Sequence, residues 1–255
     1  MKKDITFLVS LPRSGNTLLG AIMNQNPNVA VTANSLTLEI FKELYLLKET
    51  EVFRNFPDHR SLDNVIQNIM PNYYEHWPQK YILDRGPAGT PGNAMVLSQY
   101  LGQPLKAVLL VRNLTDVFAS FLKALSKTQT LTPEICEKHL SQAMSADGMI
   151  ARALESIKYF TAAENQDRCV MVRYDDLVTD PIGQLKRIHD FIGMPYFNYN
   201  TRNFDQFNLD GVSYNDSVLE CELHTIRTSG ISREPNDFYS MIPARLIAKY
   251  GHIVF

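Results

Sequence analysis

Four apolar runs punctuate the chain: ITFLVS (Ile5–Ser10), YILD (Tyr81–Asp84), LKAVLLVR (Leu105–Arg112) and RCVMVRY (Arg168–Tyr174). None alternates apolar with polar positions, which is how strands covered on both faces read. NVAVTA (Asn28–Ala33) is a weaker fifth candidate. Between them, apolar residues recur at helical spacing over Gly15–Asn24, Leu36–Lys48, Ser61–His76, Asn93–Leu101, Thr115–Lys127, Pro133–Ala163 (with a break at Gly148) and Pro181–Ile192. The last carries Asp180 as N-cap, Pro181 at the first helical position and Gly193 after its end. Alternating strands and helices predict an α/β fold: three layers, α/β/α, P-loop-like, with a mainly parallel central sheet. After Pro195 the pattern turns polar and irregular, regaining helical spacing near Asp216–Leu223 and over Pro243–Tyr250. Residues 196–240 are read as a lid or a surface wrap. With no repeat and no Gly/Ser linker, residues 1–255 are expected to form a single domain.

Composition narrows the partners. Hydrophobic content of 45%, charged content of 20% and a formal net charge of −2 are those of an ordinary soluble protein. A nucleic-acid partner is not expected, and any anion site must be local. The three cysteines are far apart without a CxxC, so neither a disulfide framework nor a structural zinc site is expected, nor any other metal. The opening MKKDITFLVS breaks at Pro12, too short for a membrane span and without a signal-peptide layout. A cytoplasmic location is the expectation.

Candidate chemistry begins where the first strand ends. In SLPRSGNT, Ser10 closes the strand and Gly15 permits a tight turn into a helix. The amides from Ser14 through Leu18 (Ser14, Gly15, Asn16, Thr17, Leu18) would then face whatever lies above the helix N-terminus, an anion site. Against the nucleotide-binding pattern GxxxxGK[ST], Ser10 replaces the first glycine and Asn16 the lysine, while Gly15 and Thr17 match. The cation has moved to Arg13. Without the lysine, a Mg-triphosphate fits poorly and a smaller anion fits better.

The stretch LPRSGNTLL resembles the 5′-phosphosulfate loop of sulfotransferases, enzymes that use 3′-phosphoadenylyl sulfate (PAPS). It is nearest in style to the tyrosylprotein-type and bacterial PRSGTT members. VLLVRNLTDVFASF resembles the family's 3′-phosphate motif, with Arg112 at a strand end, Ser120 on the next helix and Leu114 where proline is usual. An arginine fork suits a dianionic phosphate because it donates two parallel hydrogen bonds. VMVRYDDLVTDP resembles the family's strand–turn segment, which implies nucleotide contacts at Arg173 and Tyr174. In HTIRTSGISREP, the resemblance implies a loop over the nucleotide, with Arg227, Ser232 and Arg233 as contacts.

Sulfuryl transfer needs an in-line acceptor and cations for the charge on sulfur and on the leaving phosphate. Arg13 is one such cation, and Arg85, in YILDRGPAG, is the second. The general base is the gap. Where related enzymes carry a glutamate, this chain reads Ala33, Asn34 and Ser35, none of which takes a proton well. Glu39 and Asp84 are the nearby substitutes. The expected reaction moves a sulfuryl group from PAPS to a hydroxyl or amine, releasing adenosine 3′,5′-bisphosphate (PAP), with a small-molecule or lipid-like acceptor favoured over a protein. Two alternatives stay open at this point: a kinase or other phosphotransferase on a degenerate loop, and a non-catalytic nucleotide-binding relative.

Overall fold

The computed structural model describes residues 2–33, 35–215, 226, 228, 230–231, 236–253 and 255. Asn34, the 216–223 helical segment, Arg227, Ser232 and Arg233 lie outside the described residues.

Five strands form one parallel sheet: β1 (Asp4–Ser10), β2 (Val29–Val31), β3 (Tyr81–Arg85), β4 (Ala107–Val111) and β5 (Cys169–Arg173), in the order β2-β3-β1-β4-β5. The fifth, weaker run is therefore a real edge strand. Its register sets Val31 beside Leu83; further in, Leu8 pairs with Arg85, Ser10 with Leu110, and Val111 with Arg173. Both faces of the sheet are covered, which is why the runs do not alternate. One face carries Phe7, Val9, Ile82 and Leu109 with Phe41, Tyr74, Phe118 and Phe160. The other carries Leu8, Leu83, Val108 and Leu110 with Leu19, Ile22, Leu185 and Ile188.

The helices are α1 (Asn16–Met23), α2 (Thr37–Leu46), α3 (Glu51–Asn55), α4 (Arg60–Gln67), α5 (Ile69–Tyr73), α6 (Pro91–Tyr100), α7 (Leu114–Leu125), α8 (Pro133–Ala143), α9 (Met149–Thr161), α10 (Tyr174–Thr179), α11 (Pro181–Ile192) and α12 (Ala244–Tyr250). α11 has the expected caps: Asp180 accepts the Gly183 amide, and Gly193 ends the helix at φ +76°. Gly148 does break the long helical pattern. A Cβ there would sit 2.3 Å from the Ala143 carbonyl oxygen, so the chain can turn this tightly only with glycine. Three details depart from expectation. The 61–76 pattern splits into α4 and α5, a short helix α3 precedes them, and the VMVRYDDLVTDP segment, which resembles a strand–turn, runs from β5 straight into α10. Acidic residues in a first helical turn favour that outcome.

The tail supplies a small antiparallel hairpin, β6 (Asn208–Leu209) and β7 (Val212–Ser213), turned at Asp210–Gly211. No helix among the described residues is long and apolar enough to cross a membrane.

Candidate active site

The strand order reverses around β1, and open α/β sheets hold ligands above the carboxyl ends at such a point. The sequence arms that edge. Thr32 follows β2, Arg85 ends β3, Arg13 lies in the loop after β1, Arg112 follows β4 and Tyr174 follows β5. Residues far apart in sequence thus stand in a row across five neighbouring strands.

The β1–α1 loop is tightly formed. Gly15 (φ +96°) and Arg13 (φ +63°) both occupy the left-handed region. For a side chain-bearing arginine that conformation is uncommon, and such residues cluster at functional sites. Gly15 is also needed for closeness, since a Cβ on it would lie 2.7 Å from Cδ2 of Tyr174. Ser14 is turned inward. Its hydroxyl donates to the carbonyls of Leu11 (2.6 Å) and Leu110 (3.1 Å), and its amide reaches the Leu11 carbonyl at 3.4 Å. Ser14 therefore braces the loop from within. Asn16 Nδ2 braces it too, on the Leu11 carbonyl at 3.1 Å. The amides of Gly15, Asn16 and Leu18 find no backbone acceptor among the described residues, as a first helical turn requires. Thr17 lines the crevice beside them.

Arg112 joins this loop from the next strand. Its Nη1 donates to the Arg13 carbonyl at 3.2 Å, and its guanidinium lies 4.3 Å from the centre of the Tyr174 ring. Nε of Arg112 is buried without a hydrogen bond, and Asp116 Oδ2 stands 3.8 Å away. Arg13 Nε reaches Ser120 Oγ at 3.4 Å, so both arginines, Ser120 and Tyr174 share one place. Arg173 is exposed and outside this group.

Arg85 is held by its amide on Thr32 Oγ1 (3.0 Å) and by Nη1 on the Ala33 carbonyl (2.8 Å). Burial disfavours its charge, and so does the neighbouring Arg13, while Tyr214 offsets part of this. Two guanidinium groups close enough to oppose each other favour an anion between them.

Asp84 points to the opposite face of β3, as alternation requires. It is fully buried and receives Ser35 Oγ (2.5 Å) and Thr32 Oγ1 (3.5 Å) on Oδ1 and Thr37 Oγ1 (2.6 Å) on Oδ2. The buried Tyr74 hydroxyl stands beside it without a well-formed hydrogen bond. Burial raises the Asp84 carboxyl above the usual carboxylate range, and the hydroxyls only partly counter this. Glu39 is exposed on the first turn of α2 and lines neither cavity described below, so nothing brings it to the site.

A cavity of about 390 Å³ opens beside this edge. Thr32, Ser35, Tyr73, Trp77, Phe207 and Tyr214 are among the residues that line it. Phe207 bridges Trp77 (ring centres 6.1 Å apart) and Tyr214 (5.5 Å). A narrower crevice continues past Asn16, Thr17 and Arg85, and the two share Thr32, Phe207 and Tyr214. Ser35, Thr37, Phe207 and Tyr214 were missed as site residues. An aspartate inside a doubly covered strand was the signal for the first two, because a buried carboxylate must find donors. Among the described residues there is no group of three or more His, Cys, Asp or Glu side chains that could hold a metal ion.

An α/β protein with an anion loop and three arginines on one sheet edge belongs to the P-loop-like nucleotide-handling class. The chain belongs to the sulfotransferase family: the model of the sulfotransferase domain matches residues 3–218. It is thereby a sulfotransferase. Among solved structures it is similar to the sulfotransferase domain of the Synechococcus PCC 7002 olefin synthase, at 20% identity over 100% of this chain and 90% of that one, TM-score 0.55. It is also similar to a sulfotransferase from Alicyclobacillus acidocaldarius, at 13% identity over 100% and 98%, TM-score 0.51. A mouse sulfotransferase, SULT7A1, complexed with PAP, shares 15% identity over 78% of this chain and 60% of that one, TM-score 0.46. No curated protein sequence matches the chain significantly.

Proposed function

We propose that the enzyme transfers the sulfuryl group of PAPS to the hydroxyl of a flat, largely apolar small molecule. The carrying observation is the row of Arg85, Arg13 and Arg112 on adjacent strands, with the aromatic cavity opening at its Arg85 end. The amides of Gly15, Asn16 and Leu18 with Thr17 would hold the 5′-phosphosulfate at the N-terminus of α1, where the helix dipole favours an anion. Arg112 and Ser120 would hold the 3′-phosphate, with Tyr174 packed against Arg112. Arg227, Ser232 and Arg233 remain candidates to complete that end from the 196–240 segment.

Arg13 and Arg85 would offset charge on the sulfuryl oxygens and the leaving phosphate. Their mutual opposition before binding makes an anion between them favourable. The acceptor would lie between Tyr73, Trp77, Phe207 and Tyr214, capped by the β6–β7 hairpin. The cavity is within the size range of small-ligand sites. Apolar walls that carry hydroxyls suit a ring-bearing alcohol or phenol better than a peptide chain.

Calorimetry of PAP against ADP, with and without Mg²⁺, tests the nucleotide half. PAP is expected to bind at least about tenfold more tightly, independently of Mg²⁺; equal affinity or a Mg²⁺ requirement contradicts the assignment. Transfer of radiolabelled sulfate from PAPS to phenols, aliphatic alcohols and peptides tests the acceptor half, and transfer to peptides alone contradicts it.

A further inference from the structure

The cavity lining offers an answer to the missing base. We propose that Ser35 takes the proton of the acceptor hydroxyl while passing its own to Asp84, so that a serine–carboxylate pair performs the general-base step. This rests on the acceptor lying in the aromatic cavity.

Three observations carry it. Ser35 lines the cavity, and its hydroxyl already donates to Asp84 Oδ1 at 2.5 Å, so its oxygen lone pairs are left to accept a proton from a ligand. Asp84 cannot meet a ligand itself, being fully buried, yet it is a carboxylate kept inside an apolar sheet at a cost. Thr37 fixes its other oxygen at 2.6 Å and stands 3.0 Å from Ser35 Oγ, which orients the serine toward Oδ1. A structural carboxylate would be equally satisfied away from a cavity; this one has its chief donor on the cavity wall.

The step balances without any added reactant. As the acceptor oxygen's electron pair forms its bond to sulfur, its proton moves to Ser35 Oγ and the serine proton moves to Asp84. The bond from sulfur to the bridging oxygen breaks, and its pair stays on the 5′-phosphate of PAP. After release, the proton returns through Ser35 to solvent.

The groups facing Asp84 are Thr32 from the end of β2, Ser35 and Thr37 at the start of α2, and Tyr74 after α5. Arg85, next along β3, faces the other side with its guanidinium on the Ala33 carbonyl. No charged group among the described residues cancels the effect of burial, which raises Asp84's proton affinity above the usual carboxylate range. The rival is Asp210 on the hairpin turn, which also lines the cavity. It is exposed on the hairpin turn, where water competes with an acceptor for its oxygens.

The test uses the whole enzyme with PAPS and two phenols of different acidity, 2-naphthol and the more acidic 4-nitrophenol. Ser35→Ala and Asp84→Asn should each lower kcat/KM for 2-naphthol by at least about 100-fold, but for 4-nitrophenol by less than about tenfold, because an ionised acceptor needs no base. Ser35→Thr should restore part of the loss, and Asp84→Asn should remove the acid limb of the 2-naphthol pH profile. Equal losses with both phenols at unchanged PAP affinity would mean a structural role and overturn the relay. A loss dependent on acceptor acidity in Asp210→Asn but not in Ser35→Ala overturns it in favour of the hairpin. PAP binding without transfer to either phenol also overturns it and leaves the nucleotide site standing, whereas failure to bind PAP overturns the reading beneath it.

Discussion

Replacing Arg112 by alanine removes the guanidinium that reaches the Arg13 carbonyl, covers the Tyr174 ring at 4.3 Å and pairs with Asp116 across 3.8 Å. Two charge-assisted hydrogen bonds to a phosphate dianion are worth roughly 1.5–3 kcal/mol each. Ser120 and water would recover part of that, leaving a net loss of about 3 kcal/mol, on the order of 100-fold in affinity. The lost stacking on Tyr174, about 0.5–2 kcal/mol, falls on the protein's own stability and leaves nucleotide choice alone. Calorimetry with PAP and with adenosine 5′-monophosphate in wild type and variant isolates the 3′-phosphate. The wild type should prefer PAP by about 100-fold, and Arg112→Ala should bind the two within about threefold. An unchanged preference would refute the assignment of the 3′-phosphate to Arg112, whatever the variant's absolute affinities.

Gly15→Ala forces a Cβ at φ +96° to within 2.7 Å of Tyr174, so a destabilisation of about 2–3 kcal/mol and loss of PAP binding are expected. Urea denaturation and calorimetry check this, and native-like values for both would contradict it. Phe207→Ala opens the wall between cavity and crevice and should raise the acceptor KM about tenfold, with a far smaller change in PAP affinity. An unchanged KM would move the acceptor elsewhere. Because burial raises Asp84 in the folded state, the native chain binds more protons there than the unfolded chain, and this residue's contribution to stability falls as pH rises from about 3.8 through the raised folded value. The melting temperature of Asp84→Asn relative to wild type should therefore climb across that window; a constant or falling difference would contradict a raised Asp84.

The sheet was legible because doubly covered strands are written as unbroken apolar runs, and even the short edge strand at Val29–Val31 could be read from NVAVTA. The tight turn from β1 into α1 was legible too, because Gly15 marks a left-handed position between a strand and a helix. Ser14 shows the limit. Its residue type suits a phosphate, but only the packing of β4 against the loop reveals that Leu110 claims its hydroxyl. The aromatic cavity was the least legible. Ser35, Tyr73, Trp77 and Phe207 meet only through the long-range placement of α2, α5 and the hairpin, and no spacing along the chain encodes that meeting.

The most direct measurement of the central claim is a crystal structure with PAP bound. The 5′-phosphate should sit over the N-terminus of α1 within reach of the Gly15, Asn16 and Leu18 amides, and the 3′-phosphate should lie between Arg112 and Ser120. Density for the nucleotide away from the β1 and β4 corners, or an Arg112 still directed at Asp116 with the ligand present, would contradict it.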